Sequence, residues 1–123
     1  MLDYLQTVPI LRSFDEVRTR EFYCGFLGFN VDWEHRFEPG MPLFMQVSLA
    51  GIVIWLSEHH GDATPGSHIV FKVKGLAAWH REISAKGYMN ARPGIEPHIG
   101  GGTSVSVGDP SGNRLEFVED RVP

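Results

Sequence analysis

Two helix-closing signals, Leu27-Gly28-Phe29 and Lys86-Gly87-Tyr88, stand 59 positions apart in a chain of 123 residues. Each places a glycine, which takes the left-handed conformation at little cost, ahead of an aromatic residue that starts the next segment. The same order of elements reads out around each signal: a strand, a helix, then three strands. Letter identity between the halves is poor, so the repeat is one of organisation. It restricts the fold to paired modules related by a pseudo-twofold.

The first helix is expected to open at Ser13, with Glu16 three residues on as a capping box. Val17, Phe22, Phe26 and Leu27 supply its apolar face, and Arg18, Arg20 and Glu21 its polar one. The second helix runs from about Leu76 to Lys86, with Leu76, Trp79 and Ile83 on one face. Strands are expected over 8–12, 29–37, 42–49 and 52–58 in the first half. The second half offers 68–73, a weak strand near 88–92, then 103–109 and 113–119, with 93–102 as a flexible loop. The fold class is therefore α+β. A single domain over 1–123 holds two βαβββ modules, 8–58 and 67–119, forming curved mixed sheets. Each sheet carries a helix on one face and leaves the other concave.

Composition narrows the function. Hydrophobic residues make up 42% and charged residues 21%, which suits a packed globule. No apolar run approaches the ~20 residues that span a bilayer, and MLDYLQTVPI lacks the pattern of a secretory signal. Cys24 is the only cysteine, so no intrachain disulfide forms, and a cytoplasmic location is expected. A net charge of −4 with interspersed signs argues against nucleic acid as a partner.

The repeat frames one residue in particular. If Leu115 and Phe117 pack under the helix, Glu116 points to the concave face. The 59-residue offset maps His68 to Pro9 or Val8, and Glu116 to Ser57, or to Trp55 after a slip of two. A histidine and a carboxylate converging in a cavity form, in outline, a metal or acid–base pair. Two ligands alone hold a divalent ion weakly.

The stretches VPILRSFDEVRTREFYCGFLGFNVDWEHRF, HIVFKVKGL and DPSGNRLEFVE resemble the glyoxalase/bleomycin-resistance group of the vicinal oxygen chelate superfamily, within it most of all the bleomycin-binding resistance proteins. The resemblance covers roughly Val8 to Glu119. It implies a homodimer of paired βαβββ modules and, in metal-dependent members, ligands on the first and last strands of each module. His68 and Glu116 match that pattern. Val8 and Trp55, in the first module, depart from it. The resemblance further implies a non-catalytic protein that sequesters a planar, cationic antibiotic of the bleomycin type. By match to such binders, Asp32, Trp33, Phe37 and Trp55 are the candidate ligand-binding residues. Regular strand alternation would put Trp33 and Phe37 on the face opposite Asp32, so a shared groove requires a bulge or an interface edge. The loop before the seventh strand reads His98-Ile99-Gly100-Gly101-Gly102, where close bleomycin binders carry a Trp. No cofactor is expected for a binder. The alternative, a metal-dependent lyase or dioxygenase, would use zinc, manganese, nickel or iron.

Other residues have plainer readings. His59, His60 and Asp62 lie in a Pro/Gly-bearing loop and are read as solvated. Trp79 reads as helix core and Cys24 as a small buried residue. The glycine run at 100–102 lacks the context of a nucleotide loop and reads as a mobile loop or lid.

Overall fold

The computed structural model of the protein describes residues 1–121. The first module consists of β1 (Ile10–Arg12), α1 (Glu16–Arg20), β2 (Asn30–His35), β3 (Phe44–Leu49) and β4 (Ile52–Ser57). Helix α1 continues as a wider π-helical segment over Glu21–Leu27. The second module consists of β5 (His68–Lys72), α2 (Leu76–Ala85), β6 (Ile95–Pro97), β7 (Thr103–Gly108) and β8 (Arg114–Glu119). Each module makes one four-stranded mixed sheet, ordered β1-β4-β3-β2 and β5-β8-β7-β6. In both, the first strand lies parallel to the last, and the remaining pairs are antiparallel. This is the α+β architecture of two βαβββ modules.

Strand alternation builds the core. Met45 and Val47 of β3 and Ile54 and Leu56 of β4 turn inward, as do Val105, Val107, Leu115 and Phe117 of β7 and β8. They join Phe22, Tyr23, Phe26 and Leu27 from the first helix and Leu76 and Ile83 from α2 in one cluster. Burying each such side chain stabilises the fold by about 1.5–3 kcal/mol. The residues between them on each strand face outward, which is what exposes the site described below.

Side chains also tie the modules together. Tyr23 Oη donates to Asp109 Oδ2 at 2.7 Å. Asp109 Oδ1 accepts from the backbone N–H groups of Ser111 and Asn113 at 2.8 and 2.9 Å. Asn113 Nδ2 bonds both Asp109 and the carbonyl of Arg12, each at 3.0 Å. The DPSGN turn is thereby knotted to the first helix and to β1. Burial, followed by the charge of Asp109, pushes the Tyr23 phenol well above its ordinary range, so it remains a donor. Lys86 Nζ donates to the carbonyls of Gly25 and Phe26 at 3.1 and 2.9 Å, satisfying acceptors that the helix end leaves open.

Several local expectations need correction. Ser13 does not cap the first helix. Asp15 does, accepting from the Arg18 N–H at 3.0 Å, while Ser13 is buried with its hydroxyl 2.8 Å from that of Thr19. Glu16 turns sideways to Arg20 and Arg36. Val17 lies outside the apolar face and is 66% exposed. Three positions before the buried Phe22 lies Thr19, which is buried on the same face, and Val17 falls on the far side. Residues 88–92 form no strand, and Tyr88 instead stacks on Phe26 at 4.6 Å. The strand lies instead at Ile95–Pro97, inside the stretch read as loop, and pairs with β7 through Ile95 and Val105. Its proline disguised it; a sheet edge tolerates one because no partner needs the missing N–H.

Candidate functional site

β2 opposes β3 with a break in register: Val31 faces Val47, and the next paired residue, Trp33, faces Gln46. Asp32 is the extra residue of a β-bulge. The bulge turns both Asp32 and Trp33 outward, whereas unbroken alternation would send one of them to the helix side. Asp32 accepts from Gln46 Nε2 at 2.9 Å and from Ser48 Oγ at 3.0 Å. Gln46 Oε1 in turn accepts from Trp55 Nε1 at 2.8 Å. These bonds, Gln46 first and Ser48 second, hold the Asp32 carboxyl below the usual carboxylate range.

The outward residues of β2, β3 and β4 form an aromatic wall beside that carboxylate. The Trp33 ring stacks on Phe44 with centroids 5.8 Å apart and planes 18° apart. Trp55 completes the group, 6.0 Å from Trp33 and 5.6 Å from Phe44. The wall continues through His59, 6.4 Å from Phe44, to Phe37, whose ring meets His59 edge-on at 5.9 Å and His35 at 4.8 Å. Trp33 is 39% and Phe37 71% exposed, so large apolar faces meet water. Asp32, Trp33, Phe37 and Trp55, named from the sequence, thus share one surface. Phe44, Gln46 and Ser48 were missed as members, although their alternation with Met45 and Val47 carried the signal. A π-rich wall beside a fixed negative charge suits a planar or cationic group.

The equivalent face of the second sheet has different chemistry. Leu115 and Phe117 are buried, and Glu116 lies on the opposite face. Its Oε1 is 3.0 Å from His68 Nε2, and its Oε2 is 3.8 Å from His98 Nε2. His98 was not singled out by the sequence; it reaches Glu116 from the glycine-rich loop. Arg114 Nε donates to Ser106 Oγ at 2.7 Å on the same face.

Strand register resolves the mapping between modules. Ile10 pairs with Trp55 as Val70 pairs with Glu116. Trp55 therefore stands where Glu116 stands, and Val8, two residues before Ile10, stands where His68 does. An indole and an isopropyl group offer no donor to a divalent ion. Among the described residues, no group of three or more His, Cys, Asp or Glu side chains is gathered closely enough to hold a metal. His68 and Glu116 supply two donors, with the His98 ring 3.8 Å from the second Glu116 oxygen, where a stable site needs three or four. His59 and Asp62 are engaged in the fold: Asp62 accepts from Ser57 Oγ at 2.6 Å, and the His59 carbonyl accepts from Arg12. Cys24 is half-buried, and burial pushes its thiol up, away from the reactive thiolate. Among the described residues, no helix is long and apolar enough to cross a membrane.

Solved structures share this architecture. The bleomycin-binding protein of Streptomyces verticillus, solved with copper(II)-bleomycin, is 25% identical over 98% of this chain and 100% of its own, with a TM-score of 0.71. The bleomycin resistance determinant encoded on the transposon Tn5 is 23% identical over 97% of this chain and 100% of its own, with a TM-score of 0.72. An antibiotic-binding protein from Streptomyces sp. CB03234 superposes with a TM-score of 0.74 at 16% identity, over 98% of this chain and 99% of its own. No curated protein matches the chain. The model of one family, described as glyoxalase superfamily protein, matches residues 1–122. With nearly the whole chain covered by that model and the two βαβββ modules in place, the protein belongs to the glyoxalase superfamily.

Proposed function

We propose that the protein is a non-catalytic binder that sequesters a planar, cationic antibiotic of the bleomycin type, acting as a homodimer in the cytoplasm. The observation that carries this reading is the β2 bulge, which sets the Asp32 carboxylate beside the exposed wall of Trp33, Phe44 and Trp55. Stacking on such a wall gains roughly 0.5–1.5 kcal/mol per aromatic pair beyond area burial. The ionised Asp32 favours a cationic tail. Two of the solved structures it resembles are named for bleomycin binding or resistance. A second copy is the natural cover for the outward faces, where Ile10, Trp33 and Val70 are 38%, 39% and 50% exposed.

The test is titration of intrinsic tryptophan fluorescence with metal-free bleomycin. Saturable quenching at one ligand per site is expected, and Trp33→Ala should weaken it by about 1–3 kcal/mol. Unchanged affinity in that variant would remove the wall from the site. Sedimentation velocity should give a dimer.

A second reading rests on the 3.0 Å contact between His68 and Glu116. It makes the protein a metal-dependent lyase or dioxygenase. Its donor set is short, as described above. Stoichiometric uptake of zinc, manganese or nickel that vanishes in His68→Ala would favour it over the binder.

A further inference from the structure

A cavity of about 340 Å³ opens between the C-terminal half of α2 and the segment from Gly87 to Pro93. That volume is within the range of small-molecule sites. The cavity shares no lining residue with the aromatic wall or with the His68–Glu116 pair. Phe26, Ile83 and Tyr88 give it carbon walls, and the first and last of these rings stack 4.6 Å apart at 19°. Three residues with polar side chains line it: His80, Ser84 and Arg92.

Their bonding leaves specific capacity unused. His80 Nε2 lies 2.8 Å from the Pro93 carbonyl. A carbonyl only accepts, so Nε2 carries the proton, and this bond ties α2 to the segment bearing Arg92. Ser84 Oγ is 3.4 Å from that same nitrogen. A protonated nitrogen cannot accept, so the hydroxyl keeps its own proton for another partner. Arg92 is exposed, and among the described residues it forms no ion pair. No acidic side chain lines the cavity.

We infer that this cavity is a second binding site, one for a small organic monocarboxylate. The guanidinium of Arg92 takes the carboxylate in its planar fork, Ser84 donates a further hydrogen bond, and the apolar body rests against Tyr88 and Ile83. The carbon walls favour an acid with an aromatic or branched body over a bare inorganic anion, which would leave them wet.

Benzoate is the probe, titrated into the whole protein with amide chemical shifts followed by NMR. Saturable 1:1 shifts centred on residues 80–93 are expected. Arg92→Ala should weaken binding by about tenfold or more, and Arg92→Lys should recover part of the loss. Benzyl alcohol, with the same ring and no charge, should bind about tenfold more weakly or not at all. Trp33→Ala should leave benzoate binding unchanged, which separates this site from the antibiotic groove. The inference is overturned if shifts do not saturate, if Arg92→Ala binds like the parent, or if benzyl alcohol or inorganic phosphate binds as tightly as benzoate. Because Arg92 is exposed and forms no ion pair among the described residues, its variants should fold, and an unchanged spectrum outside 80–93 verifies that.

Discussion

At the scale of single residues, bonding separates two acids with opposite duties. Asp32 is on the surface and is held ionised by Gln46 and Ser48. Its carboxyl sits below the usual range, so its charge is complete at neutral pH and persists as pH falls to about 4, where an ordinary aspartate is half protonated. Affinity for a cationic ligand should therefore stay level from pH 7 to about 5 and decline only below pH 4. Asp32→Asn should show weaker binding, less salt dependence and no such acid decline, measured by fluorescence titration at several pH values. Asp109 is buried and bonds within the protein. Tyr23→Phe removes its phenol donor and leaves one carboxylate oxygen with Asn113 alone. A loss of about 1–3 kcal/mol is expected from urea unfolding, with ligand affinity unchanged. Asp109 was legible as part of a turn, since Asp-Pro-Ser-Gly is turn chemistry. Its partner 86 positions earlier was not, because only packing brings Tyr23 to it.

At the scale of elements, β2 is the informative strand. Asp32 is the inserted residue, so its deletion should restore a regular ladder, keep Trp33 outward and leave Val31 against the core. The deletion variant should melt close to the parent and still quench with a planar ligand, yet lose the preference for cations. A collapse of thermal stability in a circular-dichroism melt would mean that the bulge is needed to fold the edge. The sequence posed this choice clearly: Asp32 and Trp33 could share a face only if the strand was bulged. Nothing in Val31-Asp32-Trp33 announces a bulge, because its position depends on how β3 presents Gln46 and Ser48 as partners. The first helix teaches the converse. Its end at Gly28, with φ of 94°, was readable from a single residue. Its start was not, because Ser13 and Asp15 are both competent capping residues. The Ser13 hydroxyl is taken by Thr19 of the same helix, which leaves Asp15 to cap, while Glu16 turns to Arg20 and Arg36.

At the scale of the molecule, charge links the first helix to the β2–β3 connection. Glu16 bonds Arg36 and Arg20, and Arg20 also reaches Glu34 at 3.1 Å. The hydrogen bond from Arg36, ahead of that from Arg20, outweighs burial and lowers the Glu16 carboxyl. A carboxyl that is lower when folded contributes stability that is full above its unfolded value, near pH 4.3, and lost as pH falls through the folded one. Glu16→Gln should lower stability at pH 7 and leave a shallower acid limb in a series of urea melts across pH 2–7. Half-exposed pairs are screened, so an effect of about 1 kcal/mol or less is expected.

The sequence by itself determined the double module, the helix ends at glycine and the outward aim of Glu116; the aromatic candidates came from the family resemblance. The helix ends and the aim of Glu116 depend on near neighbours in the chain, through the strand alternation and the dihedral freedom of glycine, and the double module on the recurrence of that local pattern. Only the tertiary structure decided three further points. It chose Trp55 rather than Ser57 as the partner position of Glu116, because strand register is set by pairing across the sheet. It gathered Asp32 with Trp33 through a bulge opposite β3. It brought His98 to Glu116. Such contacts cross from one element to another, where the local pattern of a chain carries no record of them.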